Sequence, residues 1–520
     1  MLRRSFAAGL SLFAAFPLSV FAQSDAEKKF DLIIIGIGVA GLSTAVSAAQ
    51  SGVKNTLLID KAAFVGGHSA LSGGSVNAVD PEVQMKQGIK DSPELWFRKI
   101  MEAGEFQSDP ILVNTLVNNA HSTLHWLREI GIPFDDQVFE AWGGKFQRAH
   151  SAGQKRNGMT YVRIMNQKAR SLGVKVRLRT EAVSLLENNG QVIGVRVKTR
   201  EGKLEDLQAK DIVIATGGFT ANVPMRLKYD ERLDASLFTT ANPTGRGFDG
   251  STGDGILLAE KTGAQTVDME AIQLIPLRGG RLLNYVGGDI FVDSSGKRFV
   301  DESKGVKAIG EAYLNLPDRV FWVITDSQSQ KSLDLDAKLL SGTVRMADSV
   351  AEMAKKMHVS PKVLQETLDR YNKFAELGED KDFGKKIFTQ KIDKPPFYFG
   401  REQFDIHYSC GGLKINKKCQ VIGKESKPIP NLYAVGEVTG GIHGRDRLGG
   451  DSLISCFVFG KIAGEEIAKK QKDLKKSPFL FKRIKLITQN FLLEILKYKI
   501  KTLLITRARL IFSKILTQFK

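Results

Sequence analysis

The chain has 520 residues, 42% of them apolar, and a formal net charge of +18, which is room for one large or two ordinary hydrophobic cores. The charge is local. Lys469 to Lys520 holds fifteen Lys or Arg against Asp473 and Glu494, so the rest of the chain carries too small an excess to mark a nucleic-acid partner. The three cysteines, Cys410, Cys419 and Cys456, form neither C-x-x-C-H nor a cluster, which excludes a c-type haem attachment and a cysteine-ligated iron–sulfur centre.

The first 22 residues read as an export leader. Arg3 and Arg4 form its charged region, Phe6 to Phe21 is mostly apolar, and Val20-Phe21-Ala22 suits cleavage before Gln23. Arg3-Arg4-Ser5-Phe6 also fits a twin-arginine signal, a route that carries folded proteins. Pro17 interrupts the apolar stretch, which is short for a spanning helix.

Phe30 to Ile35 is an apolar, β-branched run, as a buried parallel strand requires. Gly36-Ile37-Gly38-Val39-Ala40-Gly41 follows at once, then a helical stretch from Leu42 to Gln50 with Ala and Ser on one face. A second strand, Asn55 to Ile59, ends in Asp60. Each part has a task in binding a dinucleotide. Gly36 permits the tight turn, Gly38 lets backbone approach a pyrophosphate, and Gly41 lets the helix pack close to the strand. The helix N-terminus faces the phosphates with free N–H groups, and Asp60 stands where a carboxylate holds ribose hydroxyls. Two further strands end in polar turns: Asp211 to Ala215 before Thr216-Gly217-Gly218, and Asn431 to Val435 before Gly436-Glu437. Their separation along the chain predicts a discontinuous nucleotide domain.

Gly440-Gly441-Ile442-His443-Gly444-Arg445-Asp446-Arg447-Leu448-Gly449-Gly450 resembles the C-terminal signature of the fumarate reductase and succinate dehydrogenase flavoproteins. Gly66-Gly67-His68-Ser69, Thr252-Gly253-Asp254-Gly255, Gly296-Lys297-Arg298-Phe299-Val300 and Cys410-Gly411-Gly412 extend the resemblance over roughly residues 29–470. It is strongest to the flavin portion of flavocytochrome c fumarate reductases, without the haem domain. The implied fold is α/β: a discontinuous Rossmann-like FAD-binding domain, 29–269 and 409–470, with an inserted α+β capping domain, 270–408. The implied cofactor is FAD, with no metal. Its contacts would come from Gly36, Gly38, Ala40 and Gly41, from Asp60 and Lys61, and from Gly67, His68 and Ser69. Ser72, Gly73, Gly74, Thr216, Gly217, Gly218, Asp254, Glu437, His443, Ser452 and Leu453 complete the set. At the place of His68 the membrane succinate dehydrogenases carry a covalently attached flavin; a non-covalent contact is the expectation here.

The reaction so implied is reduction of a carbon–carbon double bond beside a carboxylate. Arg447 falls at the family's carboxylate-binding arginine, a role that a planar two-point donor fills well. The chain departs from the pattern elsewhere. Tyr408, preceded by His407, replaces a carboxylate-binding histidine, and Val306 stands at the proton-donating arginine. Ile275-Pro276 replaces His-Pro, and Leu282 and Tyr285 replace an acid and an arginine. Tyr408, Tyr285, Lys304 and Lys307 are the candidate proton donors. A dicarboxylate pocket would not lose these polar groups cheaply, so the expected substrate is a larger or more apolar unsaturated monocarboxylate. The alternatives are a dehydrogenase or oxidase acting on a saturated acid or amino acid, and an FAD-binding protein whose catalytic site has decayed.

The expected electron donor is a separate cytochrome or quinol-linked protein, and the expected location is the periplasm. Residues 471–520 combine Leu493, Leu496, Ile500, Leu503, Ile511 and Ile515 at helical spacing with interleaved Lys497, Lys501, Arg509 and Lys514. That pattern suits a basic amphipathic helix at an anionic membrane surface.

Overall fold

The computed structural model describes residues 29–476 apart from 142, 154–156 and 284. The leader at 1–22 and the tail from 477 lie outside the described residues. Lys29–Ile35 forms the central strand, with Leu32, Ile33 and Ile34 fully buried. It pairs in parallel with Thr56–Ile59 on one side and Leu204–Ile214 on the other. Pro428–Ala434 adds in parallel to Leu204–Ile214, and Lys175–Arg177 to Thr56–Ile59. The result is an eight-stranded sheet whose parallel strands come from both ends of the chain. Strands buried on both faces account for the unbroken apolar runs.

The helix Val39–Gln50 starts three residues earlier than the apolar periodicity indicated, because the glycine loop itself supplies the first turn. Its Ala and Ser face packs on the long helix Asp451–Lys476. A Cβ on Gly460 would stand 2.8 Å from Ala40 O, so the two backbones meet almost directly. This last helix also moves the start of the tail. Gln471 is buried and donates to Asp31 O and to Asp211, so the boundary expected at 470 falls inside the core rather than beyond it.

The insertion carries its own four-stranded antiparallel sheet, in the order Ile290–Asp293, Phe321–Thr325, Phe397–Glu402, Val344–Ala347. Helices Val350–Met357 and Pro361–Leu377 cover one face through Met353, Leu364, Leu368 and Tyr371. Ser349 and Ser360 cap these helices, and Pro361 occupies a first-turn position. The chain enters and leaves the cap along one antiparallel pair, Ile272–Pro276 with Phe404–Ser409, in which Gln273 lies opposite Tyr408. The fold is thus α/β, with an FAD-binding-type sheet domain and an inserted cap.

Gly36 has φ +108°, and a Cβ there would lie 2.2 Å from Ala215 O on the neighbouring strand. Gly36→Ala therefore both strains the backbone and forces two central strands apart. We expect a loss of about 3 kcal/mol or more, read as a lowered urea midpoint. An unchanged midpoint would show that the loop can move off the sheet without cost.

Candidate active site

Sheet and cap enclose a cavity of about 830 Å³. Its floor is the glycine loop, and the helix that follows is capped at Gly38 by no side chain of its own; Val39 N donates to Ser69 Oγ at 3.2 Å, and the other N–H groups of the first turn can meet an anion. Asp60 is fixed beside them, its two oxygens accepting from Ile37 N (2.9 Å) and Ala62 N (2.8 Å). Gly67, Gly73 and Gly217 line the same space, and a Cβ on any of them would meet nothing within 4 Å. These glycines leave room along a backbone-lined groove, which is what an extended dinucleotide needs. Lys61 and Asp254 pair with each other on the wall.

Ala40, His68, Ser69, Ser72, Gly74, Thr216, Ser452 and Leu453 also line the cavity. Three of the expected cofactor residues do not. Gly41 packs behind the loop, where a Cβ would stand 2.1 Å from Gly36 O, and Gly218 is pressed against Ser409 Oγ. His443 is buried behind Tyr408, edge-on at 5.7 Å, with both ring nitrogens unpartnered among the described residues. Burial, then the charge of Arg447, holds its pKa down to about 3. Glu437 faces the cavity, accepts from Ser409 N and Oγ, and is pushed up by burial.

At the other end, Arg447 is 8% exposed. Its Nη2 donates to Gln273 Oε1 (2.9 Å) and its Nη1 to Leu448 O (2.8 Å), while the buried Nε has no partner among the described residues. The guanidinium lies 4.9 Å from the Tyr408 ring centroid. The Tyr408 hydroxyl makes no hydrogen bond among the described residues, and burial, then Glu437, keeps it protonated. His407 bonds Thr240 Oγ1 through Nδ1 at 2.8 Å; burial, then Arg447, pushes it down to about 3, so its ring is neutral.

Three of the candidate donors are placed less favourably. Tyr285 is not on the cavity wall: its hydroxyl takes the Gln330 N–H, and its ring packs against the Leu282 and Leu283 cluster. The buried Leu282, Leu283 and Val344 draw the ring into the cap. Lys304 lines the cavity but is exposed at its rim. Lys307 pairs with Glu105 across the two layers.

Residues 31–453 match the family described as FAD binding domain. A cytochrome-type fumarate reductase of Shewanella frigidimarina is 33% identical over 451 residues, covering 85% of this chain and 77% of that protein. The chain belongs to the fumarate reductase-like FAD flavoproteins. The acrylate reductase flavoprotein subunit of Shewanella woodyi is 30% identical, covering 89% of this chain and 97% of that one. The chain spans about half (48%) of the NADH:fumarate oxidoreductase of Klebsiella pneumoniae, at 32% identity. Among solved structures, a flavocytochrome c3 fumarate reductase in its open conformation superposes with a TM-score of 0.72 at 30% identity, covering 85% of this chain and 78% of the other. This flavoprotein is an FAD-dependent oxidoreductase, and the glycine-lined groove, the helix N-terminus facing it and Asp60 fit that cofactor.

Sequence reasoning missed Gln273, Asp249 and Arg281. Gln273 and Arg281 have no local motif, and their partners lie far away or within the cap. Asp249 stands just before Thr252-Gly253-Asp254-Gly255 and could have been marked by that position. It bonds His68 Nε2 at 2.6 Å. Burial opposes charge on His68, but the Asp249 bond and the charge of Glu437 outweigh it and raise the pKa, while Asp249 falls to about 2. A raised histidine contributes stability that is fully present below its unfolded pKa of about 6.5 and is lost as pH rises through the folded value. Asp249→Asn should therefore drop the His68 pKa below 6.5 by NMR titration. The stability advantage of the wild type should be largest between about pH 4 and 6.5 and shrink above it. An unchanged titration would show that the pair does not hold the proton.

Proposed function

We propose that this flavoprotein reduces the carbon–carbon double bond of an α,β-unsaturated monocarboxylate. The observation that carries the reading is the buried Arg447 guanidinium with an unpartnered Nε, beside an unbonded Tyr408 hydroxyl, in the cavity that the glycine groove opens into. A buried cation with unsatisfied donors is costly until an anion meets it. Relatives named fumarate, urocanate and acrylate reductases support an unsaturated acid as that anion.

FAD, when bound, supplies the hydride. Arg447 holds the carboxylate and stabilises the negative charge that develops toward it as the alkene is attacked. Gln273 fixes the arginine through Nη2, and so orients the acid. Tyr408, buried and protonated, delivers the proton to the second alkene carbon, since Tyr285 lies outside the cavity and Lys304 sits at its exposed rim. Neutral His407 donates to the substrate without adding a competing charge. Where a second carboxylate of fumarate would lie, Ile275, Val306 and Ile309 line the wall, and none of them can bond it. The same reading takes residues 1–22 as an export leader into the periplasm and draws electrons from a separate cytochrome or quinol-linked donor. It also lays the basic tail on an anionic membrane surface.

The test is oxidation of reduced viologen by the purified holoprotein with a panel of acrylates. We expect turnover with β-substituted monocarboxylates and little with fumarate. If no acrylate reoxidises the flavin while saturated acids reduce it, the enzyme runs the other way. Tyr408→Phe should keep its flavin and nearly the wild-type KM while kcat falls about 10²–10⁴-fold, the usual contribution of a positioned acid. An unchanged kcat would remove Tyr408 as donor.

A further inference from the structure

The cap side of the cavity holds a second fixed guanidinium that the reaction above does not use. Arg281 lies on the cavity wall. Its Nε donates to Asp289 at 2.7 Å, and its Nη2 reaches Tyr285 O at 3.1 Å. Asp289 is fully buried, so this arginine is anchored from behind and cannot swing away without stranding a carboxylate. Its Nη1 has no hydrogen-bond partner among the described residues, and its side chain is 25% exposed. Lys338 bonds Arg281 O and Leu282 O accepts from Ser332 N, which pins the backbone on both sides.

The position of Arg281 relative to Arg447 follows from the strand that joins them. Gln273, the partner of Arg447, opens the strand Ile272–Pro276 opposite Tyr408. Gln273, Ile275 and Leu277 all face the cavity, as alternate residues of an extended segment do. From Gln273 to Leu277 the chain rises about 13 Å. Arg281 then follows a turn in which Gly280 N bonds Glu402, at the far end of the partner strands from Tyr408. Arg281 thus lies beyond the end of the strand whose start carries Gln273, the partner of Arg447. Apolar Ile275, Val306 and Ile309 share the wall with both arginines.

The cap carboxylates near this end are already paired. Asp289, Glu302 and Asp380 are buried carboxylates in the cap, and they face Arg281, Arg298 and the fully buried Lys385. Lys304 on the rim has no ion-pair partner among the described residues.

We propose that Arg281 forms a distal anion subsite, so that the preferred substrate is a long unsaturated acid bearing a second, terminal anionic group. Arg447 takes the carboxylate beside the double bond, the apolar wall takes the intervening carbons, and Arg281 with Lys304 takes the far end. This inference rests on the proposed reductase activity and changes its preferred substrate from a simple monocarboxylate to an acid with a second, remote anionic group.

The test uses the holoprotein with reduced viologen and two length series, 2-alkenoates and the corresponding 2-alkenedioates, from four to ten carbons. The expected result is a diacid advantage in kcat/KM that is absent at four carbons and at least tenfold at about eight. Arg281→Met should abolish that advantage through KM while leaving the monoacid series within about twofold. Arg281→Lys should keep part of it. The double variant Arg281→Met with Asp289→Asn removes the stranded carboxylate, and reading the diacid-to-monoacid ratio makes the result independent of any general loss of folding. An 8-hydroxy-2-octenoate arm should show no advantage over 2-octenoate if charge is what Arg281 reads; an advantage equal to that of the diacid would contradict an anion subsite. If monoacids turn over and diacids gain nothing at any length, the subsite is wrong and the reductase reading stands. If neither series turns over, both fall together.

Discussion

Arg447 carries a charge that has been taken almost wholly out of water, and most of the site can be read as what that charge requires. Its two Nη groups are held by Gln273 and by Leu448 O, and its face lies on Tyr408. These partners come from three stretches of chain that meet only because the cap is entered and left along a single antiparallel strand pair. A buried guanidinium with one unpaired donor is unfavourable alone and favourable once a carboxylate arrives. The same desolvation that makes the empty site costly makes the bound charge pair strong.

Its field extends to the neighbours. His407 and His443 are both held neutral, first by burial and then by Arg447, whereas Tyr408 keeps its proton through burial and the proximity of Glu437. His68 moves the other way, because Asp249 lies against it. The cavity thus holds a buried arginine kept charged beside two neutral histidines, and a third histidine held toward its charged form by Asp249.

The nucleotide half of the fold was legible in the chain because its requirements are local. Gly36, Gly38 and Gly41 must follow a buried strand directly, and Asp60 must end the next one, so the signal sits within about thirty residues, the length of a βαβ unit. Arg447 was legible through a motif of similar compactness. The long-range groups were not. Gln273 acquires its task from a residue 174 positions away, and Arg281 from Asp289 within a cap whose own sheet had no strong alternation to announce it. Tyr285 shows the converse error. Its place in the family pattern suggested the cavity, but Leu282 and Leu283 pull that segment into the cap interior. The tail expected from residue 471 starts later, because Gln471 joins Lys470 in closing on Asp211 and the last helix runs on to Lys476.

The central claim is that Arg447 is the carboxylate clamp of a site built over the flavin. Titrating the oxidised holoprotein with a saturated monocarboxylate, and separately with its amide, tests this through the flavin absorbance. The account predicts a saturable difference spectrum with the acid and none with the amide. In Arg447→Lys, which keeps the charge but not the two-point fork, the acid should bind at least tenfold more weakly with flavin content unchanged. Equal responses to acid and amide, or an unaltered acid affinity in Arg447→Lys, would contradict it.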